Sequence, residues 1–107
     1  EMGAQIFRDN CKRNGVNNVV LIQKTSLPIP DEIEGMTFGL IYIDGDHWHD
    51  QPSLDWLNYS LMSDRFVVFD DADVGHPHVV KAVAFAKKTF GWKVYMQDAS
   101  ICVMEKI

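Results

Sequence analysis

Phe38-Gly39-Leu40-Ile41-Tyr42-Ile43-Asp44-Gly45-Asp46-His47 passes from a nearly all-apolar run into two carboxylates, a glycine and a histidine. An apolar run of this length fits a strand buried on both faces of a parallel sheet. Phe66-Val67-Val68-Phe69-Asp70-Asp71 repeats the pattern and ends in two more carboxylates. Neighbouring parallel strands lie ~4.8 Å apart, so Asp44, Asp70 and Asp71 at their carboxyl ends can share one small cation through metal–oxygen bonds of roughly 2.1 Å. Open α/β sheets bind ligands at that edge.

Upstream of these runs, Ala4 to Arg13 reads as a short amphipathic helix around Ile6, Phe7 and Cys11, stopped by Asn14-Gly15. Val19-Val20-Leu21-Ile22 has strand character, and Pro28, Pro30 and Gly35 mark a loop after it. Between the two acidic runs, Leu54, Leu57 and Leu61 recur at helical spacing from about Gln51 to Met62, with Trp56 beside them. Pro77 fits a first helical position, and Val79, Val83, Ala86 and Phe90 form a stripe that stops at Gly91. Trp92 to Met96 and Ile101 to Met104, joined by Gln97-Asp98-Ala99-Ser100, read as an antiparallel pair. The expected order, helix, β, β, α, β, α, β, β, is that of an α/β layered sheet with right-handed crossovers.

The 107 residues make one domain at most, able to bury roughly 65% of the surface of the unfolded chain. Apolar residues at 47% and charged residues at 23% are ordinary for a globular chain, and no apolar run approaches the ~20 residues that span a bilayer. The net charge is −5, with ten scattered Lys and Arg against fifteen Asp and Glu. That balance argues against nucleic acid, whose binding depends on phosphate neutralisation, and for a small-molecule partner. Cys11 and Cys102 lie far apart in no CxxC pair, which supports neither a disulfide framework nor a zinc site and implies a reducing, cytoplasmic setting. The opening Glu1, with no initiator Met and no signal or transit sequence, reads as the start of a processed or truncated piece.

Each chemical candidate has a structural explanation beside it. Asp and Gly suit turns, so Asp44 alone says little; Asp70 and Asp71 in the matching place strengthen it. Converging carboxylates repel one another, and a divalent cation relieves that; all-oxygen ligands favour Mg²⁺, Mn²⁺ or Ca²⁺ over zinc. His47, three residues past Asp44, suits a general base by its near-neutral pKa, or serves as an N-terminal helix residue that caps or stacks. His49 and His78 read as surface histidines, since no HxxxH pair exists. His76, just before Pro77, is placed to touch substrate, and Asp73 reads as a turn residue or a site residue. Trp48 can stack on a flat ring or pack against Trp56. Thr25 and Ser26, closing the first predicted strand, can bond a ligand or form an ST-turn.

Together these stretches resemble class I S-adenosylmethionine-dependent methyltransferases, in particular the metal-dependent small-molecule O-methyltransferases. Phe38 to His47 resembles that family's fourth motif, Phe66 to Asp71 its fifth strand and second acidic motif, and Phe7 through Gln23 the helix and third strand before them. The resemblance implies a Rossmann-like three-layer sandwich, present here in part, with a mostly parallel sheet and an antiparallel carboxyl-terminal pair. It implies Asp44, Asp70 and Asp71 as ligands of Mg²⁺ or a similar cation, His47 as the base, and Thr25, Ser26 and Asp44 as contacts of S-adenosylmethionine. The methyl acceptor is then a small-molecule hydroxyl, activated by the cation and oriented for in-line attack.

The chain also departs from the family. Thr25 stands where the family usually carries an acid, and no GxG follows a strand. The Gly-rich first motif and the ribose-binding acid would lie upstream of Glu1, so the chain reads as the carboxyl-terminal portion of such an enzyme, inactive by itself. Without the family's first two strands, Phe38 to Ile43 would be left as an unpaired edge. The expectation is that this edge re-pairs, within the chain or by a strand swap with a second copy. Two alternatives remain open. One is a metal-dependent hydrolase or phosphoesterase built on Asp44-Gly45-Asp46-His47-Trp48-His49. The other is a non-enzymatic half-domain interaction module whose acids are turn residues.

Overall fold

Asn14-Gly15 ends helix α1 (Met2–Arg13) in the way those residue types favour. Gly15 takes φ +67, its N–H donates to the Lys12 carbonyl, and the Val16 N–H donates to the Cys11 carbonyl at 2.8 Å, the two bonds of a Schellman cap. The computed structural model describes residues 2–46 and 48–107. The chain divides into two compact units, Glu1–Glu32 and Ile33–Ile107.

In the first unit the predicted strand Val19 to Ile22 is not formed: the segment is irregular and joins no sheet. Val20 is 83% exposed. Its β-branched composition favours an extended backbone, but a strand also needs a hydrogen-bonded neighbour. Thr25 and Ser26 therefore do not close a strand. An ion pair between Lys24 and Glu32 at 2.6 Å spans the loop after it, and the lysine holds the Glu32 carboxyl below its usual pKa.

The second unit holds the sheet. Its strands are β1 (Phe38–Ile43), β2 (Ser63–Phe69), β3 (Trp92–Asp98) and β4 (Ile101–Lys106), in the order β1-β2-β4-β3. β1 and β2 pair in parallel, while β4 is antiparallel to both β2 and β3. Three strands thus share one direction, but only β1 and β2 make a parallel interface. The expected antiparallel pair at the carboxyl end is present. A parallel pair needs a crossover, supplied by α2 (Gln51–Tyr59) and a 3-10 turn over Ser60–Met62. Helix α3 (Pro77–Lys87) connects β2 to β3.

One core lies between sheet and helices: Ile43, Val67, Phe69, Cys102 and Met104 from the strands meet Trp56 of α2 and Val79, Ala82, Val83 and Ala86 of α3. Two expected stripes are corrected. At about 100° per residue, Pro52, Asp55 and Trp56 occupy one side of α2 and are buried, whereas Leu54 and Leu57 lie on the opposite side and are exposed, as is Leu61 in the 3-10 turn that follows. Burying Trp56 removes more apolar surface than burying any one leucine, and the helix is rotated to do so. Phe90 is fully exposed rather than in the α3 stripe, because the helix ends at Lys87 and Gly91 turns the chain at φ +88.

β1 is the outermost strand and β2 is its sheet neighbour. The expected re-pairing of this edge within the chain does not occur among the described residues; Leu40 and Tyr42 stay more than half exposed. At the far end of the sheet, the β3–β4 turn passes through Ala99 at φ +45, a left-handed position costing an L-residue about 1–2 kcal/mol. Glycine removes that strain but loses about 0.5–1 kcal/mol through greater freedom when unfolded. Ala99→Gly is therefore expected to stabilise the chain by about 0.5–1 kcal/mol in urea unfolding.

Candidate metal centre

The alternation of a strand decides what meets at the end of the parallel pair. Ile41 and Ile43 face the helices, so Tyr42 and Asp44 share the opposite face of β1. On β2, Val67 and Phe69 belong to the core, which puts Val68 and Asp70 on that same opposite face. Tyr42 pairs with Val68 and Ile43 with Phe69. The Asp70 N–H then donates to the Ile43 carbonyl at 3.2 Å, carrying the parallel contact one residue past the strands. Asp44 and Asp70 are thereby held side by side.

Asp71 joins them through a bend. It takes φ +58, a left-handed conformation that aspartate tolerates better than most residues, and its N–H donates to Asp70 Oδ1 at 2.8 Å. The next residue is anchored as well: the Ala72 N–H donates to the Ser100 carbonyl at 2.7 Å in the β3–β4 turn. Asp44, Asp70 and Asp71 each offer a carboxylate oxygen, and the three oxygens lie within 4.8 Å of one another. Asp44 is exposed, and the other two are half-buried. The convergence expected of these residues is present.

Two residues that sequence reasoning passed over belong to this corner. The Tyr42 hydroxyl is hydrogen-bonded to Asp70, and its pKa is pushed up to about 12 by that bond first, then by desolvation and by the charges of Asp70, Asp44 and Asp71. Because ionisation is disfavoured in the folded state, the associated stability is complete below the ordinary tyrosine pKa near 10 and is lost as pH rises through about 12. Buried Asp55 accepts a hydrogen bond from the Gln51 side chain at 2.9 Å, and its Oδ2 lies 3.6 Å from where a Cβ on Gly45 would stand. It therefore packs α2 against the turn that carries Asp44. Period-two alternation was the available signal for Tyr42, which stands two residues before Asp44; nothing comparable marked Asp55.

Asp71, Asp73 and His76 form a second trio with ligand atoms within 4.8 Å. Here Asp73 Oδ1 already accepts the Gly75 N–H at 3.0 Å and faces His76 Nδ1 at 3.1 Å, which locks the turn before α3. Asp46 is likewise a turn residue, its Oδ1 accepting the Trp48 N–H at 2.9 Å. Trp48 does not pack into the core; it is 71% exposed. His49 is exposed and His78 half-buried, with ring centroids 6.2 Å apart. His47 lies outside the described residues.

The remaining cofactor candidates belong to the first unit. Thr25 Oγ1 donates to the Leu27 carbonyl at 3.0 Å, the local turn bond that threonine readily forms. Thr25 also lines an open groove of about 330 Å³ with Lys24, Pro28, Ile29, Pro30 and Asp31. A larger groove of about 520 Å³, lined by Phe7, Arg8, Cys11, Lys12, Val16 and Leu21 among others, includes none of the residues singled out for chemistry.

Among the described residues no helix is long and apolar enough to cross a membrane. Compared with known protein families, characterised proteins and solved structures, the chain matches none.

Proposed function

We propose that the chain is part of a Rossmann-like, S-adenosylmethionine-dependent O-methyltransferase that acts on a small-molecule hydroxyl with the help of a divalent cation. The observation that carries this is the meeting of Asp44, Asp70 and Asp71 at the carboxyl end of the parallel β1–β2 pair. The donor set is all oxygen and fully anionic, which fits Mg²⁺ or Mn²⁺. When bound, such a cation lowers the pKa of a substrate hydroxyl and helps orient it. The chain's own part is to hold three carboxylates in place through the strand register and the Asp71 bend, and to offer His47 as the proton acceptor three residues beyond Asp44. Exposed Trp48, next along the chain, offers a flat apolar face to a ring-bearing acceptor.

The cofactor half is incomplete within these residues, since no GxG follows a strand in the 107-residue sequence. Calorimetric titration of S-adenosylmethionine with Mg²⁺ tests the proposal, using this chain and any longer natural form that contains it. Binding by the longer form and none by this chain is the expected result. No binding by either contradicts the methyltransferase reading; tight binding by this chain alone contradicts its incompetence.

One observation favours a second reading. Asp71 belongs to both acidic trios, as a bridging carboxylate would in a two-metal hydrolase. Phosphatase activity that depends on added Mn²⁺ is the outcome that would favour this hydrolase over methyl transfer.

A further inference from the structure

We propose that two copies of this chain pair through β1, antiparallel about a two-fold axis at Ile41, so that their four-stranded sheets become one continuous sheet. The pairing does not depend on any bound cation.

The sheet treats its two edges differently. β3 carries Lys93, Asp98 and the extra residue of the register shift against β4, and charges and bulges of this kind keep an edge strand from pairing further. β1 has neither protection. Phe38–Ile43 holds no charged residue and no proline, and the extra residue of its register shift lies on β2, because Phe38 and Leu40 stand opposite Ser63 and Phe66.

Backbone direction sets which groups wait at that edge. The Ile43 carbonyl accepts from the Asp70 N–H on the β2 side, and successive residues of a strand turn their N–H and C=O to alternate sides. Leu40 and Tyr42 therefore aim theirs away from β2, where no further strand lies among the described residues. In an antiparallel pair, opposite residues whose polar groups face each other exchange both N–H···O bonds. With the axis at Ile41, Leu40 meets the partner's Tyr42 and Tyr42 meets the partner's Leu40, so the outward groups of both residues are satisfied together.

The side chains agree with that register. Opposite residues share a face, which sets Leu40, more than half exposed, beside a Tyr42 on the outer face and Ile41 beside a second Ile41 on the helix face. Asp44 falls opposite Phe38, leaving the two Asp44 carboxylates about 20 Å apart. An in-register parallel pairing would put them side by side. The strand is thus complementary to itself in hydrogen bonds, shape and charge, and a self-complementary patch closes as a two-fold dimer.

Sedimentation of the 107-residue chain over about a hundredfold range of concentration, with hydrogen exchange of its amides, tests this. The expected result is a species of twice the chain mass at the upper end, with the Leu40 and Tyr42 N–H groups protected there and losing that protection on dilution. Leu40→Pro removes an N–H that the β1–β2 ladder does not use, a change an edge strand tolerates. That variant is expected to stay monomeric with the circular dichroism of wild type. A wild-type chain that remains monomeric throughout overturns the proposal and leaves the edge to a strand of another kind. A dimer in which Leu40 and Tyr42 exchange freely, or one that a folded Leu40→Pro forms equally, uses a different surface and also overturns it. Should Leu40→Pro fail to fold, the wild-type exchange decides alone.

Discussion

Trp56→Ala is expected to destabilise the second unit more than any other single truncation in its core, by about 3–5 kcal/mol. Trp56 is fully buried, with its ring 5.7 Å from Phe69 and 5.0 Å from Trp92, the latter edge-on. It therefore ties α2 to β2 and to the start of β3. Its indole N–H donates to Thr89 Oγ1 at 3.1 Å, and that hydroxyl donates in turn to the Phe85 carbonyl at 3.0 Å. Truncating a buried tryptophan costs about 3–5 kcal/mol. A unit of this size has a total stability of about 4–11 kcal/mol, so the loss consumes a large share of it. Urea unfolding followed by circular dichroism should show a midpoint far below that of wild type for Trp56→Ala. Trp56→Phe should keep a cooperative transition; a loss below about 1 kcal/mol for the alanine variant would contradict the packing described.

Asp70→Ala is expected to abolish divalent-cation binding while leaving the fold intact. Asp70 offers one of the three carboxylates, and its Oδ1 is the acceptor of the Asp71 N–H that shapes the bend. The substitution removes one of the three carboxylate charges and loosens its neighbour at once. Cation affinity depends steeply on the number of charged oxygen ligands, so a fall of about 100-fold or more is expected. The side chain is half-exposed at a strand end, and the Asp70 N–H bond to Ile43 belongs to the backbone. Thermal stability should accordingly change little. If the acids were turn residues only, cation uptake would be the same in Asp70→Ala and wild type.

The sheet's parallel pair was legible because Phe38 to Ile43 and Phe66 to Phe69 are continuous apolar runs, each ending in carboxylates, and the structure brings those ends together. The β3–β4 hairpin was legible from its own short runs and polar turn. Val19 to Ile22 looked equally strand-like, yet a strand exists only with a neighbour to pair with, and local composition cannot report one. On α2 the leucine spacing marked a true helix but the wrong face, since Trp56 took the inner side from Leu54 and Leu57, and Leu61 fell in the 3-10 turn beyond the helix. Counting two residues back from Asp44 would have placed Tyr42 on the same face, but in a run apolar on both faces nothing else marked that face as the outer one until the register showed which residues meet the helices.

The proposed function stands on Asp44, Asp70 and Asp71 taking up one divalent cation together. Mn²⁺ titrated at substoichiometric levels into the isotope-labelled chain locates such a site, because the paramagnetic ion broadens the amide resonances nearest to it. Selective broadening of residues 43–46 and 69–72, absent in Asp70→Ala, is the predicted result. Uniform broadening, or broadening centred on acids away from this corner such as Asp64 and Glu105, would overturn it.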